Sequence, residues 1–445
     1  MPREWDTIAG LCVGTTKVSV IVAEVDPRYQ SQDSIHVIGI GNAPSRGLSK
    51  GVITNLTEAT DSVRKAFNEA LNITNKRIDS AIVAFNALDV RSITTSGMVA
   101  LENRGGESTP RRVEVADIRR AITAAKSRLD QPGSMIAVHT IPVNYALDGR
   151  MVDEPLNMTG TRLDIMLQTV SVPQTYVQNF ITCVQNAGIK VDGLVLKPLA
   201  AALGSVEEDE MRAGCISVSI GGGSTGMVLY KSGKPFKIMS VPIGGNHITS
   251  DLASVLRISM RDAEYLKRRV FTEPEENLRQ DGIDIDLALK VIGSRIEELF
   301  MDYVSVSLSE CRPDLFPGGI ILSGGVSEMP GVADWLSDIM QMQVRKGMPV
   351  YRMPPGYDDV SYVGAAGLLR FMSYRKRNPF MFIEPSFIEN MNHRGDDSNN
   401  DYGNNNDYNN NNDDYGDEID TEGMTDKVSN MLTNILSNFK GLFLD

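Results

Sequence analysis

Apolar residues along the chain alternate between short runs typical of buried strands and longer stripes with helical spacing. The runs at 18–25, 34–41 and 80–85 predict strands. Apolar positions three or four residues apart predict helices over 56–71 and around 177–184. This alternation predicts an α/β fold with mainly buried sheets.

The second half of the body continues the alternation. Residues 215–223 and 225–230 predict a β-hairpin with a glycine-rich turn. Residues 286–310 predict a long amphipathic helix, and 318–325 a strand that runs into a glycine pair. The pattern extends to about residue 388, which is enough chain for two or three domains.

A low-complexity segment, 389–423, follows the body. Its central part, 395–420, holds eight Asp, one Glu, nine Asn and no Lys or Arg. Such a composition cannot bury enough apolar surface to offset the entropy of ordering, so a disordered linker is expected. This central part, 395–420, carries nine of the thirteen net negative charges, and no basic face points to nucleic acid as a partner.

The last segment, 424–445, predicts an amphipathic helix. Eight apolar side chains share one helical face: Val428, Met431, Leu432, Ile435, Leu436, Phe439, Leu442 and Phe443. A helix that hangs from a disordered linker must bury this face in a membrane interface, in a partner's groove or back on the body. We favour the membrane interface, with binding that depends on apolar burial because the polar face carries few Lys or Arg.

The remaining composition excludes several classes of protein. Cys12, Cys183, Cys215 and Cys311 are scattered and predict neither a disulfide framework nor a zinc site. The charged N-terminus does not fit a signal peptide, and no run of 18 apolar residues predicts a membrane-spanning helix.

Two glycine-rich turns and a later glycine pair are the candidate binding chemistry. The first turn, within GLCVGTTKVSV (10–20), and the second, within SIGGGSTGMVLY (219–230), each join two strand-like runs. Glycine lets backbone N–H groups approach an anion, and hydroxyls and a lysine add donors, although each turn alone fits an ordinary hairpin. The candidate residues are Gly14, Thr15, Thr16, Lys17, Gly221, Gly222, Gly223, Ser224, Gly324 and Gly325.

The order of these features resembles the phosphate-1, phosphate-2 and adenosine motifs of the actin and Hsp70 superfamily. Within it, GLCVGTTKV, NAPSRGLSKGVITNL (42–56), HTIPVNYALDG (139–149), KVDGLVLKPLAAA (190–202) and PIGGNHITSDLA (242–253) resemble the FtsA family of actin-like bacterial division proteins. DAEYLK (262–267) resembles the family element whose Glu and Lys approach the ribose, here Glu264 and Lys267. An ion pair on an exposed helix is the simpler alternative for that pair.

The resemblance implies an actin-like, two-lobed ATPase-type fold with a 1C insertion, a disordered linker and a terminal membrane-targeting helix. The implied subdomains are 1A in 1–85, 165–197 and a return helix in 361–388, 1C in 86–164, 2A in 198–235 and 306–360, and 2B in 236–305.

The resemblance also implies a function. The expected protein binds ATP, polymerises on the inner leaflet of the cytoplasmic membrane at the division site, and anchors FtsZ filaments through the FtsZ C-terminal tail on subdomain 2B. Contacts with other division proteins are expected as well.

Two positions depart from the actin-like pattern. Each hairpin normally carries an Asp that holds Mg²⁺ through water, but Cys12 and Ser219 stand there instead. Neutral side chains are poor replacements for carboxylates around a hard cation. We therefore expect no metal held by protein carboxylates, no catalytic residue of the ordinary kind, and very slow or absent ATPase activity, while ATP binding survives.

Three other interpretations of the function fit the sequence less well. A PilM-like component of pilus assembly shares the 1C-containing fold but leaves the linker and terminal helix unexplained. An Hsp70-type chaperone needs a substrate-binding β-domain after the body, and a sugar or acid kinase needs a catalytic Asp and intact metal-binding acids.

Overall fold

The computed structural model describes residues 6–25, 35–101, 110–273, 278, 283–306 and 315–377. The predicted linker at 389–423 and the predicted terminal helix at 424–445 lie outside the described residues.

Eighteen strands are described. They are β1 Asp6–Val13, β2 Lys17–Val25, β3 Ile35–Pro44, β4 Leu48–Ser49, β5 Val52–Ile53, β6 Ser80–Phe85, β7 Arg91–Ala100, β8 Arg111–Arg112, β9 Met135–Leu147, β10 Arg150–Val152, β11 Thr159–Gly160, β12 Arg162–Pro173, β13 Lys190–Leu196, β14 Ile216–Ile220, β15 Thr225–Lys231, β16 Lys234–Val241, β17 Ile320–Ser323 and β18 Val344–Lys346.

The described α-helices alternate with these strands. They are α1 Leu56–Thr74, α2 Val115–Lys126, α3 Gln174–Asn186, α4 Lys197–Ser205, α5 Glu208–Ala213, α6 Gly245–Leu256, α7 Met260–Arg269, α8 Ile285–Glu298, α9 Val332–Met340 and α10 Val363–Arg377. None of the helices in the described ranges is both long and apolar enough to cross a membrane.

Two five-stranded sheets share one strand order. In the first sheet, three antiparallel strands, β3, β2 and β1, are followed by β6 and β13, which run parallel to β1. In the second sheet, antiparallel β16, β15 and β14 are followed by parallel β17 and β18. The molecule therefore has two lobes built on the same plan, and the predicted α/β class is confirmed.

Helices α4 and α10 pack against each other beside the two sheets, and their residues belong to the core of the first lobe. They can approach closely because Gly204 and Gly367 lie at the crossing: a Cβ on Gly204 would overlap the carbonyl of Val363, and a Cβ on Gly367 that of Ala200. At such backbone distances only glycine fits.

Arg370 closes the end of this helix pair. Its side chain is fully buried, and its guanidinium donates to the carbonyl oxygens of Leu203 at 3.1 Å and Val206 at 2.5 Å. A cation at a helix C-terminus satisfies carbonyls that have no partner within the helix. Arg370 thereby ties α10 to the end of α4.

A smaller unit is inserted between β6 and α3. Its sheet has the order β10-β9-β12-β7, and α2 packs on it around a separate core. Arg111 and Arg120 donate to the buried carboxylate of Asp117, each at 2.7 Å, and hold its pKa well below the usual range.

Most of the predicted elements match the structure. The predicted helix over 286–310 differs, because α8 gives way to a wider π-helical segment at Leu299–Ser305, in which Leu299, Phe300 and Val304 are buried in the second lobe's core. Residues 307–314 lie outside the described part of the chain.

Candidate functional site

A cleft opens where the parallel strands of both sheets end. In the first lobe, Asn86 follows β6 and Lys197 follows β13; in the second, Gly221 follows β14 and Gly324 follows β17. Carboxyl ends of parallel strands are the usual place for a ligand in an open α/β sheet. All four residues line one cavity of about 700 Å³, a size suited to a small-molecule ligand.

The first hairpin, between β1 and β2, turns tightly through a bond from Gly14 N–H to the Lys17 carbonyl at 3.0 Å. Lys17 reaches the short 3-10 turn Val360–Tyr362 that precedes α10: its Nζ donates to Ser361 Oγ at 2.8 Å and lies 3.6 Å from the Tyr362 ring centroid. Burial lowers the pKa of Lys17, and the nearby carboxylate of Asp359 opposes the shift. Its contacts with Ser361 and Tyr362 thus fix the position of the Lys17 side chain, which extends from the first hairpin.

The second hairpin, between β14 and β15, turns through a bond from Gly221 N–H to the Ser224 carbonyl at 2.9 Å. The start of α6 binds the same turn, with Gly245 N–H on the Gly221 carbonyl at 2.8 Å and Asn246 N–H on the Gly222 carbonyl at 2.7 Å. The glycine turn is thus fastened to the N-terminus of a helix.

The tips of the two hairpins touch. A Cβ on Gly222 would overlap Thr16 Cγ2, and a Cβ on Gly223 would lie 2.8 Å from Thr15 Oγ1. Thr15 and Gly223 therefore face each other and do not line the cavity, whereas Thr16 and Gly222 do both. Glycine is needed here because the other lobe leaves no room for a side chain.

Glu264 and Lys267 line the same cavity from α7. Lys267 Nζ donates to Glu264 Oε2 at 2.5 Å, to Thr249 Oγ1 at 2.8 Å and to the Gly245 carbonyl at 3.0 Å. Arg268 Nε donates to the other carboxylate oxygen, Glu264 Oε1, at 2.9 Å. The pair is therefore part of a network at the cleft and not an isolated surface ion pair.

The two groups of this pair respond to burial in opposite ways. Burial raises the pKa of Glu264, but hydrogen bonds from Lys267 and Thr249 outweigh it, so that the net pKa lies below the ordinary value. Burial lowers the pKa of Lys267, although the bond to Glu264 opposes that shift. The opposite charges of Glu264 and Lys267 thus neutralise each other within the protein.

The glycine pair after β17 completes the cavity wall. Gly324 has a φ of +86°, and a Cβ there would overlap the Ile220 carbonyl at the end of β14. Gly325 faces open space. The structure brings ten of the twelve predicted residues to one cavity, namely Gly14, Thr16, Lys17, Gly221, Gly222, Ser224, Glu264, Lys267, Gly324 and Gly325.

Two further residues of the cavity were not predicted as site residues. Asn86 is buried between the lobes, where its Nδ2 donates to Ser224 Oγ at 3.0 Å and its Oδ1 accepts from Ser240 Oγ at 3.2 Å. Lys197 begins α4 and extends toward the first hairpin. The available signal for Asn86 was its place directly after the strand predicted over 80–85, since such positions meet at one sheet edge. No strand was predicted before Lys197, so its place in the cavity had no comparable signal.

The cavity fits an anion such as a polyphosphate. Its wall holds four basic side chains, Lys17, Lys197, Lys267 and Arg268, against two carboxylates, Glu264 and Glu328. The two glycine turns bring backbone into the same wall as these cations, and backbone N–H groups of such turns together with basic side chains are common ligands of phosphate oxygens.

The same wall does not fit a hard divalent cation. Cys12 and Ser219 line the cavity at the two hairpins, and burial raises the pKa of the Cys12 thiol, which stays neutral. Within the described ranges, no three His, Cys, Asp or Glu side chains are grouped so that they could hold a metal ion. A magnesium ion prefers carboxylate or phosphate oxygens, which these two side chains do not offer.

Two lobes with matching sheets, glycine hairpins that meet across a cleft and a helix pair beneath them define the protein as actin-like, as expected from the sequence. Solved structures agree: the chain superimposes on a protein of the PilM–PilN type IV pilus biogenesis complex with a TM-score of 0.60. That match has 18% identity and covers 84% of this chain and 99% of the other, so it shows the fold alone.

Sequence comparison identifies the family. A family model described as cell division protein FtsA matches residues 216–367, and one described as the SHS2 domain inserted in FtsA matches residues 87–171. Cell division protein FtsA of Bacillus subtilis is 32% identical over 376 residues, which covers 81% of this chain and 82% of the relative. That of Pseudomonas aeruginosa is 33% identical over 362 residues, 77% of this chain and 83% of the relative. The chain belongs to the FtsA family of cell division proteins.

Proposed function

We propose that this protein binds ATP between its lobes, assembles on the inner leaflet of the cytoplasmic membrane at the division site, and tethers FtsZ filaments there. The observation that carries the proposal is the family relationship over four fifths of the chain. The cleft supports the nucleotide part, because its glycine turns and four basic side chains suit a polyphosphate.

We propose very weak or absent hydrolysis. The hairpins carry Cys12 and Ser219 at the positions where a carboxylate would orient a metal and its water. A positioned base or metal contributes about 10²- to 10⁴-fold or more to hydrolysis, so its loss leaves a binder with little turnover. ATP then acts as a structural ligand that holds the two lobes together.

The insertion is proposed as subdomain 1C, which contacts a neighbouring copy in a filament. The bounds expected from the resemblance were 86–164; we propose 86–173 instead, because β12 pairs with β7 and β9 up to its end. The unit carrying α6 to α8 is proposed as subdomain 2B, the site for the FtsZ tail. Its expected start was residue 236; we propose a start near residue 242 instead, because β16 belongs to the sheet of the second lobe, proposed as 2A.

The membrane part of the proposal depends on the segment 424–445. Its eight apolar residues are each worth at most about 1.5–3 kcal/mol when fully buried, and helix ordering opposes that gain. Single copies should therefore bind reversibly, whereas several copies linked in a filament should bind firmly.

Liposome flotation of FtsZ tests the proposal. We expect FtsZ to float with the full chain and to stay behind with a chain that ends at Gly423. A matched pair of variants sharpens the result: Leu436→Asp places a charge on the apolar face and should abolish flotation, whereas Asn434→Asp places it on the polar face and should not.

The other outcomes are informative. If the protein floats and FtsZ does not float with it, FtsZ is not the tethered partner. A PilM-like role in pilus assembly would then be the better-supported alternative. If the protein itself never floats, the terminal segment binds a partner's groove or the body, and the tether function is overturned.

A further inference from the structure

We infer that Lys197 takes the place of the metal ion in the cleft, so that the phosphates of ATP are neutralised by this lysine and bind without a divalent cation. The inference rests on the proposed nucleotide binding and adds to it the residue that supplies the charge and the independence from Mg²⁺.

The position of Lys197 places its charge between the two glycine hairpins. Its Nζ lies 2.8 Å from where a Cβ on Gly14 would stand and 3.9 Å from the corresponding point on Gly221. Phosphate oxygens cradled by the backbone N–H groups of both turns would meet this ammonium group. Cys12 and Ser219, which stand where the family pattern has its metal-holding carboxylates, line the same cavity as Lys197, and Lys197 is near enough to Cys12 to act on it electrostatically.

The other two lysines of the cleft already have protein partners. Lys17 donates to Ser361, and Lys267 forms its ion pair with Glu264. Among the residues that the structure describes, the side chain of Lys197 has no hydrogen-bond or ion-pair partner. Lys197 is half-buried as a residue. A charge that is partly withdrawn from water and has no counterion costs free energy, which a bound anion would recover.

The location at a helix start makes this cost larger. Lys197 is the first residue of α4, where the partial positive charge of the helix dipole disfavours a cation. Both charges favour an anion in front of them. The two together create a phosphate site whose charge comes from the protein.

The same geometry disfavours a divalent cation at this point. The thiol of Cys12 is neutral because burial raises its pKa, and Ser219 is an alcohol, so neither offsets the charge of the ammonium. A metal ion placed there would be repelled by Lys197 and by the nearby Lys17. Magnesium that reaches the cleft with ATP should therefore add little affinity.

The test is calorimetric titration of the full chain with ATP, in buffer with Mg²⁺ and in buffer with excess EDTA. We expect the two dissociation constants of the unaltered protein to agree within about twofold. Lys197→Met should weaken ATP about 10- to 100-fold in EDTA, the usual worth of a hydrogen bond to a charged group. Adenosine, which has no phosphate, should bind all forms within about twofold.

Three further variants separate charge from structure. Lys190→Met removes an exposed lysine at the other end of β13 and should change nothing. Lys197→Arg should keep most of the affinity, because the charge stays. Lys197→Glu places a carboxylate between the hairpins and should make ATP binding depend on Mg²⁺.

The inference is overturned if EDTA abolishes ATP binding by the unaltered protein, or if Lys197→Met weakens adenosine as much as ATP; nucleotide binding itself would survive either result. If ATP binds in neither buffer, the nucleotide part of the proposed function fails and the inference with it. Flotation of FtsZ would still test the tether on its own.

Discussion

The two lobes share a strand order, yet they contribute different chemistry to the cleft between them. The first lobe contributes two lysines, Lys17 beside the first hairpin and Lys197 at the end of β13. The second lobe contributes glycine backbone and a Glu264–Lys267 pair that is balanced internally. Charge for an anion thus comes mostly from one lobe and the shape that receives it from the other, so neither lobe alone forms the site.

Two buried or half-buried histidines, one in the insertion and one in the second lobe, can be compared in the same way. In the insertion, His139 Nε2 accepts the N–H of Leu196 at 3.0 Å, just before α4. In the second lobe, His247 Nδ1 accepts the N–H of Gly244 at 3.2 Å, just before α6. Burial lowers the pKa of His139 to about 3, and burial also lowers that of His247, which is less enclosed. Both imidazoles accept hydrogen bonds and are neutral, but burial opposes protonation of His139 more strongly than protonation of His247.

The largest effect is expected where the lobes touch. Gly222→Val places methyl groups against Thr16 and should force the hairpins apart. Overpacking of this kind costs up to about 3 kcal/mol, so ATP affinity should fall about 100-fold, as measured by calorimetry. Gly133→Val is the control, because a side chain there meets open space. Unchanged affinity in a folded Gly222→Val protein would mean that the hairpins do not need to meet.

A smaller effect is expected from His139 in acid. Its folded pKa lies below the unfolded value, so the stability it supports is complete above about pH 6.5 and declines as the pH falls toward 3. Between about pH 7.5 and about pH 5, this group should cost about 2 kcal/mol of unfolding free energy.

Urea unfolding at both pH values measures this loss. His139→Gln keeps an acceptor for Leu196 and should remove most of the pH dependence, whereas His36→Gln, on an exposed strand position, should retain it. An equal pH dependence in the His139 variant would show that other groups set the acid limit.

The smallest effects are expected from Lys17 in the first lobe and from Glu264 in the second, and they should differ between the two ligands. Lys17→Met should weaken ATP about tenfold and leave adenosine within about twofold, because it removes a charge near the phosphate turns. Glu264→Gln should weaken both ligands alike, about threefold to tenfold, because it loosens the network that holds Lys267. Competition titrations with ATP and adenosine measure the ratio. If Lys17→Met weakened both ligands equally, the claim that the first lobe supplies the charge for the phosphates would be wrong.

Local pattern predicted most of the architecture. The runs at 18–25 and 80–85 became β2 and β6, and the stripe from 56 became α1, because burial on one or both faces imposes a period on the residues themselves. The glycine turns were predicted for the same reason, since a tight turn restricts the residue types that can form it. The wider π-helical turn at Leu299–Ser305 was not, because it leaves the apolar spacing nearly unchanged.

The candidate site divides in the same way. Gly14, Gly222 and Gly324 could be predicted as parts of loops, and the absence of carboxylates at Cys12 and Ser219 was visible in the same segments. That Thr15 and Gly223 face each other across the lobes could not be predicted, because 208 positions of chain separate them and only the packed lobes bring them together.

The sequence alone was enough to predict the strand and helix pattern, the glycine hairpins, the neutral side chains Cys12 and Ser219 and an apolar face on the terminal segment, because each prediction depends on residues close together in the chain. Tertiary structure alone decided that Asn86 and Lys197 belong to the cleft, that Lys267 pairs within it and that Lys197 stands between the hairpins without a partner among the described residues. Those facts depend on which strand ends meet at a sheet edge and on how two lobes close, and they follow from packing across long stretches of chain.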